Sequence, residues 1–278
     1  MRKTLFIKYN KTRRKKFQIS TAICQDENGF VVEKRPLNQE AYKHINELQS
    51  NFEILEPVYT KIKFLKPQIN YNVASFNYVS GKTLEQELQV YLDDLESLIA
   101  EIKRKIDDIF QISSSYITDF YVSEEYINMF GTNYNYNGKA VTVANIDMLF
   151  DNIIEIKGDS YCLDYEWVFK FPVPIDFLVY RCLTYFYNKY SYKIKKYCTR
   201  EQFLNKFEIY TVDLFDSMET NFQKYVHGND LEWIYTSNYI KETETLDELT
   251  SYEEEALRSR SRIIQLQNDC LLYTSRCV

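Results

Sequence analysis

Glycine and proline are scarce, with 6 Gly and 5 Pro in 278 residues, about 4% together against the roughly 12% of average usage. So few turn-breakers favour long helices and argue against an all-β fold built on many tight turns. Histidine is rarer still: His44 and His227 are the whole complement, and neither has a nucleophile or ligand set near it in sequence, so both read as incidental. None of the six cysteines forms a CxxC pair or joins a Cys/His cluster of metal-ligand spacing. Cys24, Cys162, Cys182 and Cys198 read as buried or free thiols of a reducing compartment. No apolar run approaches the ~18 residues of a membrane span. The N-terminus lacks the apolar core and small-residue cleavage site of a signal peptide. These absences predict a cytoplasmic protein without an integral membrane segment.

Aromatic residues, by contrast, are abundant, with 25 Tyr, 18 Phe and 2 Trp. Hydrophobic residues at 45% and charged residues at 27% are ordinary for a globular chain and exclude wholesale disorder. A net charge of −6 excludes a generic nucleic-acid binder. The charge is uneven: Arg2, Lys3, Lys8, Lys11, Arg13, Arg14, Lys15 and Lys16 precede any acid, while Glu242, Glu244, Asp247, Glu248 and Glu253 to Glu255 form an acidic stretch. The basic run reads as a solvated hairpin, or else as a contact to a nucleotide or an anionic head group.

TLFIKYN, KKFQISTAI and FVVEK alternate as strands of a meander, with Lys34 ending the third. Pro36 stops that strand, and Asn38 can cap a helix over NQEAYKHINELQSNF that puts Ala41, Ile45, Leu48 and Phe52 on one face. YTKIKFLKPQINYNVASFNYV supplies one or two more strands, and the residues after Gly81 read as one long amphipathic helical stretch. Residues 113–140 are irregular. AVTVANIDMLFDNIIEI then reads as strand, loop, strand, and YCLDYEW as another short strand. The pattern is helical from Asp176 to about Asn229, and 245–268 is expected to be an exposed or coiled-coil helix that offers an oligomer contact. Residues 270–278, CLLYTSRCV, back-translate as TGT CTC TTA TAC ACA TCT AGA TGT GTA, a transposon-end sequencing adapter running into its own reverse complement. They are expected to be adapter read-through, with the native chain continuing past Asp269.

The chemistry-bearing residues are Asp147 and Asn152 in NIDMLFDN, then Asp164 in CLDYEW. Phosphoryl transfer needs a carboxylate by the acceptor hydroxyl, an Asn on the metal, and a second Asp on the Mg²⁺ that bridges the phosphates. The Asp-x-x-x-x-Asn spacing followed by an Asp after an apolar strand fits that need. Upstream, Lys34 ends a strand and a helix carrying Glu47, Glu40 and Glu53 follows.

In this order the sequence resembles the kinase-like fold over roughly residues 4–230: strand lysine, helix glutamate, the FNYVSGKTLEQEL connector, DxxxxN, then DYEW. The DYE triplet is similar to the choline kinase and aminoglycoside phosphotransferase branch. The longer string LDYEWVFKFPVPIDFLVYR resembles kinase-like domains attached to bacterial surface-polysaccharide methyltransferases and glycosyltransferases. The resemblance implies an α+β, bilobal protein-kinase-like fold, with a small β-rich N-lobe at 1–80 and a helical C-lobe at 81–240, followed by the helix at 241–269. It also implies ATP and Mg²⁺ as cofactors. Lys34 would contact the α/β-phosphates and Glu47 would orient it, while backbone groups at Tyr78 and Val79 would meet the adenine. Asp147 would be the catalytic base or a group that orients the acceptor hydroxyl, and Asn152 and Asp164 would hold Mg²⁺. The acceptor would be a small molecule or glycan, with a methyltransferase or glycosyltransferase in the same or a neighbouring chain as partner.

The sequence departs from that pattern at three places. Asn145 stands where the family has His or Tyr, Glu166 replaces the glycine two residues after the metal Asp, and no GxGxxG is present. Two functions therefore follow: a phosphotransferase acting on a hydroxyl, or an inactive nucleotide-binding module that scaffolds glycan synthesis.

Overall fold

Alternation of apolar residues sets β1 (Lys3–Tyr9), β2 (Ile19–Asp26) and β3 (Gly29–Pro36) into an antiparallel meander. The computed structural model describes residues 2–27, 29–131 and 136–228, so the expected 245–268 helix and the 270–278 tail lie outside the described residues. β3 runs through Pro36, correcting the expectation that Lys34 ends the strand: Lys34 pairs with Ala74 inside the sheet. Proline fits here because it closes the strand at its last pair, opposite Ile19, where the missing N–H interrupts no further ladder. Asn38 accepts a hydrogen bond from the Glu40 amide and starts the 3-10 turn Gln39–Ala41 that leads into α1 (Tyr42–Leu55). Ala41, Ile45 and Leu48 are buried, with Phe52 packed partly buried against the same core.

After β4 (Ile62–Phe64), the strands β5 (Gln68–Asn70) and β6 (Val73–Asn77) complete a sheet of order β1-β2-β3-β6-β5. The stretch expected as one long helix is two, α2 (Leu84–Leu88) and α3 (Leu95–Ile109). Asp94 makes the break: its carboxylate accepts from the amides of Glu96 and Ser97 at 3.1 and 3.3 Å, satisfying donors that a continuous helix would pair with carbonyls. The segment expected to be irregular carries β7 (Ile117–Asp119) and α4 (Glu124–Phe130), the latter capped by Ser123. Short strands follow, β8 (Lys139–Val141), β9 (Ala144–Asn145), β10 (Ile153–Ile156), β11 (Asp159–Cys162), β12 (Val168–Phe169) and β13 (Val173–Pro174). Four helices close the described chain: α5 (Ile175–Lys189), α6 (Ser191–Ile194), α7 (Arg200–Asn205) and α8 (Val212–His227). A β-rich N-terminal part thus precedes a helical part, the α+β content the sequence predicts.

The aromatic surplus is the packing material. Phe17 from the β1–β2 connection packs on Trp167 at 4.7 Å between centroids and on Tyr225 of α8 at 5.1 Å. Phe130 meets Phe169 and Phe177 edge-on at 5.6 and 5.3 Å. Such pairs contribute about 0.5–1.5 kcal/mol each beyond buried area. The four cysteines among the described residues are buried and free. No helix among the described residues is long and apolar enough to cross a membrane.

Candidate functional site

Asn152 and Asp164 are brought together by a hairpin. β10 and β11 pair with Ile153 opposite Cys162 and Ile156 opposite Asp159. Lys157 and Gly158, with φ of 52° and 85°, connect them in the doubly positive geometry that matches strand twist and favours glycine second. The twelve-residue spacing is therefore the length of this hairpin. Across its open end the Leu163 amide donates to the Asn152 carbonyl at 2.8 Å. The five-residue step from Asp147 to Asn152 is a turn, in which the Asp147 carbonyl accepts from the Leu149 amide at 2.7 Å and from the Asn152 side chain at 3.0 Å.

Asn145, fully buried, links the two acidic loops. Its side-chain nitrogen donates to the Asp164 carbonyl at 3.0 Å, and its oxygen accepts from the Asp147 amide at 3.1 Å. A neutral amide can do both at once, so the residue that departs from the family pattern holds the loops in register.

Lys34 reaches this group from β3. Its Nζ lies 2.6 Å from Asp164 Oδ1 and 2.5 Å from Glu166 Oε1. The expected pairing with Glu47 does not form: Glu47 is exposed on α1 and pairs with Lys43, one turn away, at 3.7 Å. The physical reason is direction. Glu166 follows Asp164 by two residues at a bend where its amide donates to Asp164 Oδ1 at 3.3 Å, which turns both carboxylates to Lys34, whereas Glu47 lies on the solvent face of its helix. Glu166 also takes Arg13 Nη1 on Oε2 at 2.6 Å and has His44 Nε2 at 3.4 Å. His44 is thus a buried partner of the site rather than an incidental residue.

Burial alone would raise the Glu166 carboxyl, but Lys34, Arg13 and His44 hold it well below the usual carboxylate range. Burial would lower the Lys34 ammonium, and Asp164 and Glu166 outweigh that and raise it. Asp147 behaves oppositely to Glu166. Burial pushes its carboxyl up to about 7, Asp164 adds to the rise, and Arg181 partly opposes it. Arg181, buried on α5, lies 3.8 Å from Asp147 Oδ1, donates to the Ile146 carbonyl, and pairs with Glu219 of α8 at 2.7 Å. Nothing in the local sequence around Asp147 signals this arginine, because it arrives from a helix 34 residues later.

Tyr78 and Val79 follow β6 in the connector to α2. The Tyr78 amide donates to the Phe30 carbonyl at 3.3 Å, and its ring packs on Phe30 at 5.6 Å. Gly81 brings this connector against the hairpin, since a Cβ there would lie 2.8 Å from Ile154 Cγ2. The structure therefore brings Lys34, Asp147, Asn152 and Asp164 into one cluster, places Tyr78 and Val79 on the connector, and leaves Glu47 outside.

Among the described residues no group of three or more His, Cys, Asp or Glu side chains could hold a metal. The donors on offer are the Asn152 side-chain oxygen and the second oxygen of Asp164, since the Asn152 nitrogen is turned to Asp147 and Asp164 Oδ1 takes Lys34. Two hard oxygen donors suit Mg²⁺, which usually binds through one or two carboxylates and completes its shell with phosphate oxygens and water.

No family model matches the chain, and no curated protein matches it. Solved structures do align with it. A choline kinase from Streptococcus pneumoniae is 14% identical, with 76% of this chain and 83% of that chain covered and a TM-score of 0.36. A macrolide 2'-phosphotransferase from Brachybacterium faecium is 8% identical, covering 79% and 77% at 0.34. An ADP-bound aminoglycoside phosphotransferase is 12% identical, covering 91% and 92% at 0.37. At such scores these likenesses carry no weight for function.

Proposed function

We propose that the chain is a kinase-like phosphotransferase that moves the γ-phosphate of ATP to a hydroxyl of a small molecule or glycan. One observation carries this reading: Lys34 and Asp164, 130 residues apart in sequence, meet at 2.6 Å, on the hairpin that also carries Asn152 and beside the loop that carries Asp147. In this reading the two lobes are residues 1–80 and 81–240, of which 229–240 lie outside the described residues, and backbone groups at Tyr78 and Val79 meet the adenine. Lys34 neutralises the α/β-phosphates, and Asn152 and Asp164 hold Mg²⁺. The metal supplies charge neutralisation on the phosphate oxygens.

Asp147 acts at the acceptor. Ionised, its carboxylate accepts the hydroxyl proton as the acceptor oxygen bonds to the γ-phosphorus, while the bond to the departing ADP oxygen breaks and its electron pair leaves with ADP. A base poised near 7 suits a reaction at neutral pH. The rest of the rate comes from positioning and charge, because phosphoryl transfer gives the protein little covalent work. A setting in cell-surface polysaccharide synthesis, beside a methyltransferase or glycosyltransferase, is supported by the string LDYEWVFKFPVPIDFLVYR alone.

A second reading, nucleotide binding without turnover, is favoured by the two ion pairs that already engage Lys34. Measuring ATP turnover with Mg²⁺ separates the two. Turnover lost in both Asp147→Ala and Asp164→Ala supports the enzyme. Thermal stabilisation by nucleotide with no turnover in the wild type supports the binding module.

A further inference from the structure

The basic hairpin between β1 and β2 occupies the place where the resemblance expects a glycine-rich loop, and it is fixed there against α8. The Arg14 amide donates to the Val226 carbonyl of α8 at 2.9 Å, and the Arg14 guanidinium donates to the Lys224 carbonyl at 3.2 Å. Lys16 sits over the Phe17 and Tyr225 rings at 4.7 and 4.9 Å. Arg13, just before these anchors, turns inward to Glu166. Its side chain retains 18% of its exposure, and its guanidinium lies over the Trp167 ring at 5.6 Å.

A guanidinium has five N–H donors. Arg13 spends one on Glu166 Oε2, and among the described residues no other acceptor takes the rest. Lys34 occupies the other oxygen of the same carboxylate. A buried lysine and a half-buried arginine thus share one small anion, and the fields of Asp164 and Asp147 both reach Arg13. A planar, charged donor set with unused N–H groups suits a phosphate oxygen pair better than a point charge does.

We propose that Arg13 binds the terminal phosphate of a nucleoside triphosphate, doing with one side chain what a glycine-rich loop does with backbone amides. The proposal rests on the nucleotide reading above and adds a specificity: it makes the site prefer a triphosphate over a diphosphate. Glu166 keeps the guanidinium oriented, and Trp167 keeps its plane. The other basic residues of the hairpin are not part of this grip; Lys11, for instance, stacks on Tyr9 at 5.4 Å.

The test is calorimetry of ATP, ADP and AMP binding to the full chain with Mg²⁺, for the wild type, Arg13→Met, Arg13→Lys and Lys11→Met. Arg13→Met is expected to weaken ATP about tenfold or more, the size of a lost charged hydrogen bond, with ADP and AMP little changed. Arg13→Lys keeps a cation beside Glu166, which guards against a folding defect, and is expected to fall between. Lys11→Met is expected to bind as the wild type does. Equal losses for ATP, ADP and AMP in Arg13→Met and Arg13→Lys would mean a structural role and overturn the proposal, as would a Lys11→Met loss matching that of Arg13→Met. Wild-type ATP binding with Arg13→Met unaffected overturns the proposal alone. A wild type that binds no nucleotide overturns the nucleotide reading with it.

Discussion

Asp147, half-buried, and Glu166, buried, are acids 19 residues apart in one chain, and their surroundings drive them in opposite directions. Glu166 sits among Lys34, Arg13 and His44 and is held well below the usual carboxylate range. Asp147 has Asp164 on one side and Arg181 only at 3.8 Å, and burial lifts it to about 7. Two acids separated in this way take different parts. The first is a permanent counter-ion that fixes cations, and the second is a group able to take up a proton near neutrality. In the proposed phosphotransferase the contrast assigns the proton transfer to Asp147 and the ordering of cations to Glu166, the more deeply buried of the two.

Replacing Glu166 is the strongest way to break the comparison. Glu166→Gln strips Lys34 and Arg13 of a shared buried partner, and losing one side of a buried pair costs about 3–5 kcal/mol, or roughly 10 °C in melting midpoint for a chain of this size. A group whose carboxyl is depressed stabilises the fold above the ordinary carboxylate range and loses that contribution as pH falls. The gap between wild type and Glu166→Gln should therefore be widest near neutral pH and shrink in acid, as read by thermal denaturation across pH. The same substitution removes a negative charge facing Asp147, so carboxyl titration by NMR should find Asp147 shifted downward.

Arg181→Met is next in size. It removes the ion pair to Glu219 and the bond to the Ile146 carbonyl, at about 2 kcal/mol, and raises the Asp147 carboxyl further because its nearest cation is gone. Asp147→Asn tests the other arm. A carboxyl raised in the folded state is penalised when ionised, so it destabilises increasingly as pH rises from the ordinary carboxylate range towards 7. The neutral Asn variant should melt above the wild type at pH 8, and the gap should narrow through the range between Asp147's folded and ordinary values and close at about pH 4. The smallest effect is expected from Glu47→Ala, which removes a surface pair worth about 0.5 kcal/mol or less and should leave nucleotide affinity unchanged.

What could be read from the sequence follows the range of the interaction. Asn152 and Asp164 are legible because a hairpin of fixed length encodes their spacing, and Asp147 because a turn ties it to Asn152. Lys34 is legible from strand alternation. Its partner was not, because choosing among Glu40, Glu47 and Glu53 assumed a helix face that the fold turns to solvent. A local signal for Glu166 did exist: it lies two residues beyond Asp164, close enough for its amide to reach that carboxylate. Arg13, His44 and Arg181 left none, since their contacts to Glu166 and Ile146 span 153, 122 and 35 residues and exist only after packing. The break between α2 and α3 was also written locally, in Asp94 ahead of Glu96 and Ser97, where a capping carboxylate competes with helix continuation.

Mg²⁺-dependent ATP turnover by Asp147→Asn beside the wild type tests the central claim most directly, with melting midpoints recorded on the same samples at pH 8. The account predicts a variant that is more stable yet slower by about 10²–10⁴-fold, the usual contribution of a positioned acid–base group. A variant that turns over ATP as fast as the wild type would contradict it.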